Sequence, residues 1–385
     1  MCQNCQNDQV GNAPYRVDHV GSFLRPKELV EAREKFAKGE LSKEELTKVE
    51  DKVITELVEK QIANGLKGVT DGEFRRAYWH LDFFWGLNGV EHTQAKIGYQ
   101  FHDEITKPDS ADVVGKITGE NHPFVEHYKF LRDLVGDRAK VKQTIPAPAQ
   151  FYFELIRDEE HIAQTYSVYA NKEELFADII AAYKQVIKEH YDAGCRIIQL
   201  DDCTWGAIVD DKLIKLIAEG SGLEPEGIRE AFIKDFINLN NGILTELPED
   251  LVVNTHICRG NYHSTWASAG GYDAVADTLF GEENVNAYYL EYDTDRAGDF
   301  KPLAKVGKDK KVVLGLLTSK SGKLENKDEV IARIKEASEY VPLENIYLST
   351  QCGFASTEEG NILTEEDQWK KIALISEIVK EVWGE

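Results

Sequence analysis

The chain has 385 residues, 42% of them hydrophobic, so it can bury a large core, and its length fits either one barrel or two domains. A formal charge of −23 excludes nucleic acid and anionic membranes as main partners, because phosphate binding needs a basic surface. No run of about 18 apolar residues appears, and the opening MCQNCQNDQV lacks the apolar stretch of a signal peptide, so a soluble cytoplasmic protein is expected.

Residues 1–14 are polar and read as a flexible terminus, with 15–385 as one domain. Short β-rich runs then recur at 16–23, 67–70, 140–145, 196–200, 251–257, 286–292, 311–317 and 345–350. Amphipathic stretches at 43–64, 172–193, 211–239, 327–340 and 364–382 carry apolar residues at helical spacing among charges. Repeated β–α units predict a parallel sheet with helices outside, and eight of them at this length predict an α/β fold of the closed (β/α)8 TIM-barrel type; a doubly wound open sheet is the rival. The stretch 86–119 fits neither pattern and reads as an inserted hairpin or loop near the barrel mouth.

Six cysteines in so long a chain do not make a disulfide framework, so each is judged by its surroundings. The run Val252-Val253-Asn254-Thr255-His256-Ile257-Cys258 is an apolar strand ending in His-x-Cys, and the strand period of two puts both side chains on one face. Two further strands end in Glu291 and Cys352. Taken singly, these are a buried histidine, a surface carboxylate and small buried cysteines. In a barrel all strand C-termini share one rim, so His256, Cys258, Glu291 and Cys352 converge there, and an N, S, O, S set suits tetrahedral zinc. Cys2 and Cys5 form a C-x2-C pair without a second pair and read as part of the polar tail.

These residues resemble the cobalamin-independent methionine synthase family over nearly the whole chain. The family's zinc is held by a His-x-Cys, a Glu and a distant Cys in this order. Its opening motif is similar to Val20-Gly21-Ser22-Phe23, its Gly-Glu motif to Gly72-Glu73-Phe74 with Arg76 following, and its Ile-Gln-x-Asp motif to Ile198-Gln199-Leu200-Asp201. The resemblance implies a zinc-dependent methyltransferase that methylates the thiol of homocysteine. Zinc lowers the pKa of a bound thiol, which makes the nucleophile near neutral pH. The substrate's ammonium calls for carboxylates and its carboxylate for N–H groups or hydroxyls; the family's matching positions are Glu73, Asp201 and the turn Val20-Gly21-Ser22, and a stacking position of the family falls on Tyr152.

The donor side departs from that pattern. The full-length synthase has a second barrel before the catalytic one, whereas the resemblance here is to the catalytic barrel alone. After the seventh strand the family carries a histidine proposed to protonate the leaving amine, whereas Leu317-Thr318-Ser319-Lys320-Ser321 has none, leaving Ser319 and Lys320 near its place. Asp202-Cys203 stands where Glu-Pro is expected, and Asp71 replaces a histidine. The methyl donor is therefore left open among methyl-tetrahydrofolate, a corrinoid and a sulfonium, and the partners between a corrinoid protein and further copies of the chain. Rival readings are a uroporphyrinogen-decarboxylase-like or metallohydrolase barrel, and a non-catalytic thiol- or zinc-binding protein.

Overall fold

A computed structural model of the chain describes residues 13–385. Cys2, Cys5 and most of the expected flexible terminus lie outside the described residues; Ala13 and Pro14, also assigned to it, are buried. The strands are β1 Gly68–Val69, β2 Asn88–Gln94, β3 Asp109–Thr118, β4 Lys140–Val141, β5 Gln143–Pro146, β6 Ile197–Asp202, β7 Val252–Ile257, β8 Ala287–Glu291, β9 Lys311–Leu317 and β10 Ile346–Thr350. Six of them form one parallel sheet in the order β5-β6-β7-β8-β9-β10.

The remaining ring positions are short. β1 pairs in parallel with β4, which runs on into β5. Val17 makes a parallel bridge to Leu348 of β10. Between that first segment and β1, the Phe23 N–H donates to Gly72 O at 3.1 Å and Thr70 Oγ1 donates to Gly21 O at 2.5 Å. The eight β-rich runs of the sequence occupy these ring positions, and the fold is the α/β barrel they predict. The sheet strands are buried along almost their whole length, as strands covered by helices outside must be.

One helical expectation needs correction. The stretch 211–239 is two helices, Asp211–Ser221 and Pro225–Ile243, because Gly222 turns left-handed at φ 70° and caps the first, while Pro225 opens the second.

The insertion is an antiparallel hairpin of β2 and β3. A polar chain running inward from the half-exposed Asp158 fastens it: Asp158 Oδ1 lies 2.8 Å from His161 Nδ1, and His161 Nε2 lies 2.7 Å from Ser110 Oγ, which donates to Glu154 Oε1 at 2.5 Å. The order acid, imidazole, hydroxyl is that of a hydrolytic triad, but Ser110 is fully buried and its hydroxyl is given to Glu154, so the chain is an anchor.

Inside the barrel, the buried Lys142 Nζ pairs with Asp18 Oδ1 at 3.1 Å and also donates to His19 O, while Tyr289 Oη donates to Asp18 Oδ2 at 2.7 Å. This pair ties the first segment to the junction of β4 and β5, with Tyr289 adding β8, and removing one partner leaves the other charge buried and unpaired. Lys142→Met should therefore destabilise the protein by about 3–5 kcal/mol in urea unfolding, far beyond a surface Lys→Met control.

Candidate metal and substrate site

Register decides which groups meet. Asp201 pairs with His256 across β6 and β7, and Ile257 with Leu290 across β7 and β8, which sets Cys258 beside Glu291. Gly315 in β9 lets the rim close up, because a Cβ there would lie 2.6 Å from Gln351 Cα and 2.8 Å from Leu290 O. A register shift at Ser349/Thr350 in β10 follows, and Cys352 comes next in the chain.

Three of the four expected ligands form a close group: ligand atoms of His256, Cys258 and Cys352, all buried, lie within 4.8 Å of one another. The Cys258 and Cys352 sulfurs are 3.6 Å apart. His256 Nδ1 lies 3.3 Å from Tyr289 O, while Nε2 is buried with no hydrogen-bond partner, so the tautomer that donates from Nδ1 leaves Nε2 with a free lone pair. The Cys258 thiol is held well below its ordinary range by hydrogen bonds from Cys203 and Cys352, against burial, with His256 adding to the effect. Gly260 N–H also donates to its sulfur at 3.2 Å.

Glu291 stands beside this group without joining it. It is fully buried, its Oε1 bonded to Arg296 at 2.8 Å and its Oε2 accepting from Arg259 N–H at 3.0 Å. Burial raises its pKa, opposed by the charge of Lys320. The sequence pattern carries no sign of these arginine contacts, which hold the carboxylate at the edge.

Cys203 lines the cavity with Cys258 and Cys352, so three thiols face it. Its place directly after the Asp201-Asp202 strand end was the available signal.

A cavity of about 280 Å³ opens over the sulfurs. Val20, Ser22, Glu73 and Asp201 line one side; Trp79, Tyr99, Phe101 and Phe153 make an aromatic wall, of which Tyr99 and Phe101 come from the loop joining β2 to β3. Glu73 sits at φ 61° after Gly72 at φ 68°, a turn fixed by Glu73 N–H donating to Asp71 Oδ1 at 2.8 Å. Thr144 Oγ1 donates to Glu73 Oε1 at 2.8 Å and Arg76 lies 3.3 Å from it, while Glu73 Oε2 is buried with no partner. Asp201 is pushed up to about 7, by burial first and by the charge of Glu73, with His256 pulling the other way. Gly21 has φ 153°, and a Cβ there would lie 2.8 Å from Thr144 Cγ2. Ser22 Oγ accepts from Ala355 N–H at 3.2 Å, locking this turn to the loop after Cys352.

Tyr152 is a correction. It does not line the cavity but packs edge to face on Phe176, because the helix Pro148–Leu155 turns Gln150 and Phe153 to the opening instead. Of the two residues near the absent histidine, Ser319 is fully buried with its carbonyl accepting from Asn361, and Lys320 Nζ is buried with no partner.

Behind the rim, Asn240 Nδ2 bridges two buried carboxylates, donating to Asp202 Oδ2 and Glu283 Oε1 at 2.9 Å each.

The comparisons with known proteins agree with this geometry. A family model described as the catalytic domain of cobalamin-independent synthase matches residues 17–367, and the chain belongs to that family. It is therefore a catalytic domain of the methionine-synthase-like methyltransferase class. Among individual proteins, it is 47% identical over 372 residues to the uncharacterized protein YxjH of Bacillus subtilis, covering 96% of this chain and 95% of that one. It is 24% identical over 348 residues to a methionine synthase of Saccharolobus solfataricus, covering 87% and 86%. A structure assigned as a vitamin-B12-independent methionine synthase from Listeria monocytogenes superposes with TM-score 0.74 at 38% identity, over 97% of this chain and 99% of that one. The B12-independent methionine synthase of Shewanella sp. W3-18-1, in complex with selenomethionine, shares the fold at TM-score 0.68 and 20% identity, over 95% and 97%. Among the described residues no helix is long and apolar enough to cross a membrane.

The Glu283 carboxyl is pushed up to about 8 by burial and by the neighbouring Asp202 charge, so the folded chain holds a proton that the unfolded chain releases near 4.5. The stability this gives is complete below about pH 4.5 and is lost as pH rises through about 8. Glu283→Gln stays neutral, and its melting temperature should fall less than that of the wild type between about pH 5 and pH 8.5.

Proposed function

We propose that the chain transfers a methyl group to the thiol of homocysteine, with zinc held by His256, Cys258 and Cys352 and with Glu291, at the edge of this group, as the fourth ligand once an ion draws it in. The observation that carries this reading is the sulfur pair at 3.6 Å beside an imidazole nitrogen that has no other partner. Two sulfurs each about 2.3 Å from a tetrahedral ion stand about 3.8 Å apart, so the donor set fits zinc. Bound zinc would supply the acidity that turns a substrate thiol into a thiolate near neutral pH.

The chain's own residues do the rest. The open Glu73 Oε2 and the Asp201 carboxyl receive the substrate's ammonium, and the Val20-Gly21-Ser22 turn receives its carboxylate. Held at that end, the substrate points its sulfur towards Cys258 and Cys352, and the aromatic wall of Trp79, Phe101 and Phe153 keeps water from the path of attack. A sulfur-rich donor set argues against a hydrolytic reading, since water-activating sites favour histidine and carboxylate ligands. The selenomethionine held by the Shewanella protein is in keeping with a thioether product.

On the donor side the family description, cobalamin-independent, gives no support to a corrinoid protein as partner. A methyl-folate or a sulfonium remains, entering along the aromatic wall.

Purified protein should carry about one zinc per chain, and Cys352→Ser should lose most of it while keeping its helical circular dichroism. Homocysteine added to the zinc-loaded protein should release about one proton per site. Protein without stoichiometric zinc would sink the reading. Assayed side by side with homocysteine, methyl-tetrahydrofolate carrying one or three glutamates, methylcobalamin and S-methylmethionine will separate the donors, with turnover expected from a folate or the sulfonium and not from methylcobalamin alone.

A further inference from the structure

Lys320 is an unusual cation. Its Nζ is buried and has no hydrogen-bond partner, and it follows directly on Ser319, whose N–H is held by the side chain of Gln351, the residue before Cys352. Leaving an ammonium buried without a partner is costly, so its place calls for an explanation. That place is well fixed. Thr318 N–H donates to Glu325 Oε1 at 2.9 Å, Ser319 N–H to Gln351 Oε1 at 2.5 Å, and Asn361 Nδ2 to Ser319 O at 2.8 Å. Glu325 is itself paired with the buried Lys371 at 3.0 Å.

Charge at the site supplies the explanation. Cys258, Cys352 and Glu291 each bear a negative charge when ionised, and a divalent cation offsets only two of the three. Arg296, paired with Glu291 at 2.8 Å, meets the third, so a substrate arriving as thiolate brings one further negative charge into a buried site. Arg296 and Arg259 are engaged, the first by Glu291 and Asp293, the second by Gly270 O and Tyr272. Lys320 keeps its donors free.

Resting on the methyl-transfer reading, we propose that Lys320 is a positioning residue whose ammonium supplies the counter-charge that lets this site accept the substrate's sulfur as an anion. It lies outside the cavity lining, behind the Gln351-Cys352 strand end, and so acts through its charge rather than by touching substrate. The prediction separates two ligands of nearly the same shape. Homocysteine binds with a charged sulfur and needs the counter-charge; methionine binds with a neutral one and does not.

The test uses zinc-loaded wild type, Lys320→Gln and Lys320→Arg, with zinc content by metal analysis and both amino acids titrated by calorimetry. Lys320→Gln should keep its zinc, since removing a cation does not weaken binding of another, and should bind homocysteine about tenfold or more weakly while binding methionine as the wild type does. Lys320→Arg should recover most of the homocysteine affinity. Unchanged homocysteine affinity in Lys320→Gln overturns the proposal, as does equal weakening of both ligands or loss of zinc, which would make Lys320 structural. If Lys320→Gln does not fold, Lys320→Arg decides: it must favour homocysteine over methionine as the wild type does, and loss of that preference overturns the proposal. Wild type that binds neither zinc nor homocysteine would instead sink the methyl-transfer reading itself.

Discussion

The contact between the Cys258 and Cys352 sulfurs joins two strand ends that are not neighbours, since β8 and β9 lie between β7 and β10. Only a strongly curved sheet brings such ends together; in a flat one they would stand roughly 15 Å apart at ordinary strand spacing. Curvature therefore comes first. The short ring segments, the Gly315 close approach and the register shift in β10 all serve to bring that rim together.

Around this contact the rim divides into a soft side and a hard side. Sulfur and imidazole gather at the ends of β7 and β10, while carboxylates gather at the end of β6 and in the turn after β1. A substrate with a thiol at one end and an ammonium at the other matches that polarity in only one orientation. The cavity between them is walled with aromatic side chains, which raise the energy of any charge not met by a partner.

Much of this was legible in the residues. Strand ends are readable because parallel strands buried on both faces become continuous apolar runs, and the polar residue that ends each run marks the rim. His256, Cys258 and Cys352 stood out for that reason, and so did Glu73 and Asp201. What could not be read is orientation about a helix and competition among charges. Tyr152 and Phe153 differ by one position, and only the packing of Tyr152 on Phe176 decides which faces the opening. Glu291 was readable as a strand-end carboxylate, but nothing in its own strand announces its contacts to Arg296 and the Arg259 N–H. The break at Gly222 and Pro225 was written in the chain, but the apolar spacing continues across it and hides the turn.

The bond from Ala355 N–H to Ser22 Oγ spans 333 residues and locks the first barrel turn against the loop that follows Cys352. Contacts of such separation come late, because the chain between them must be ordered before they repay their closure entropy. During synthesis His256 and Cys258 emerge well before Cys352, so the sulfur pair stays incomplete until the last strand docks against the first segment. Barrel closure thus comes before the sulfur pair: an unfinished chain leaves His256 and Cys258 on an open rim, and the close contact with Cys352 exists only once the first and last barrel segments have met.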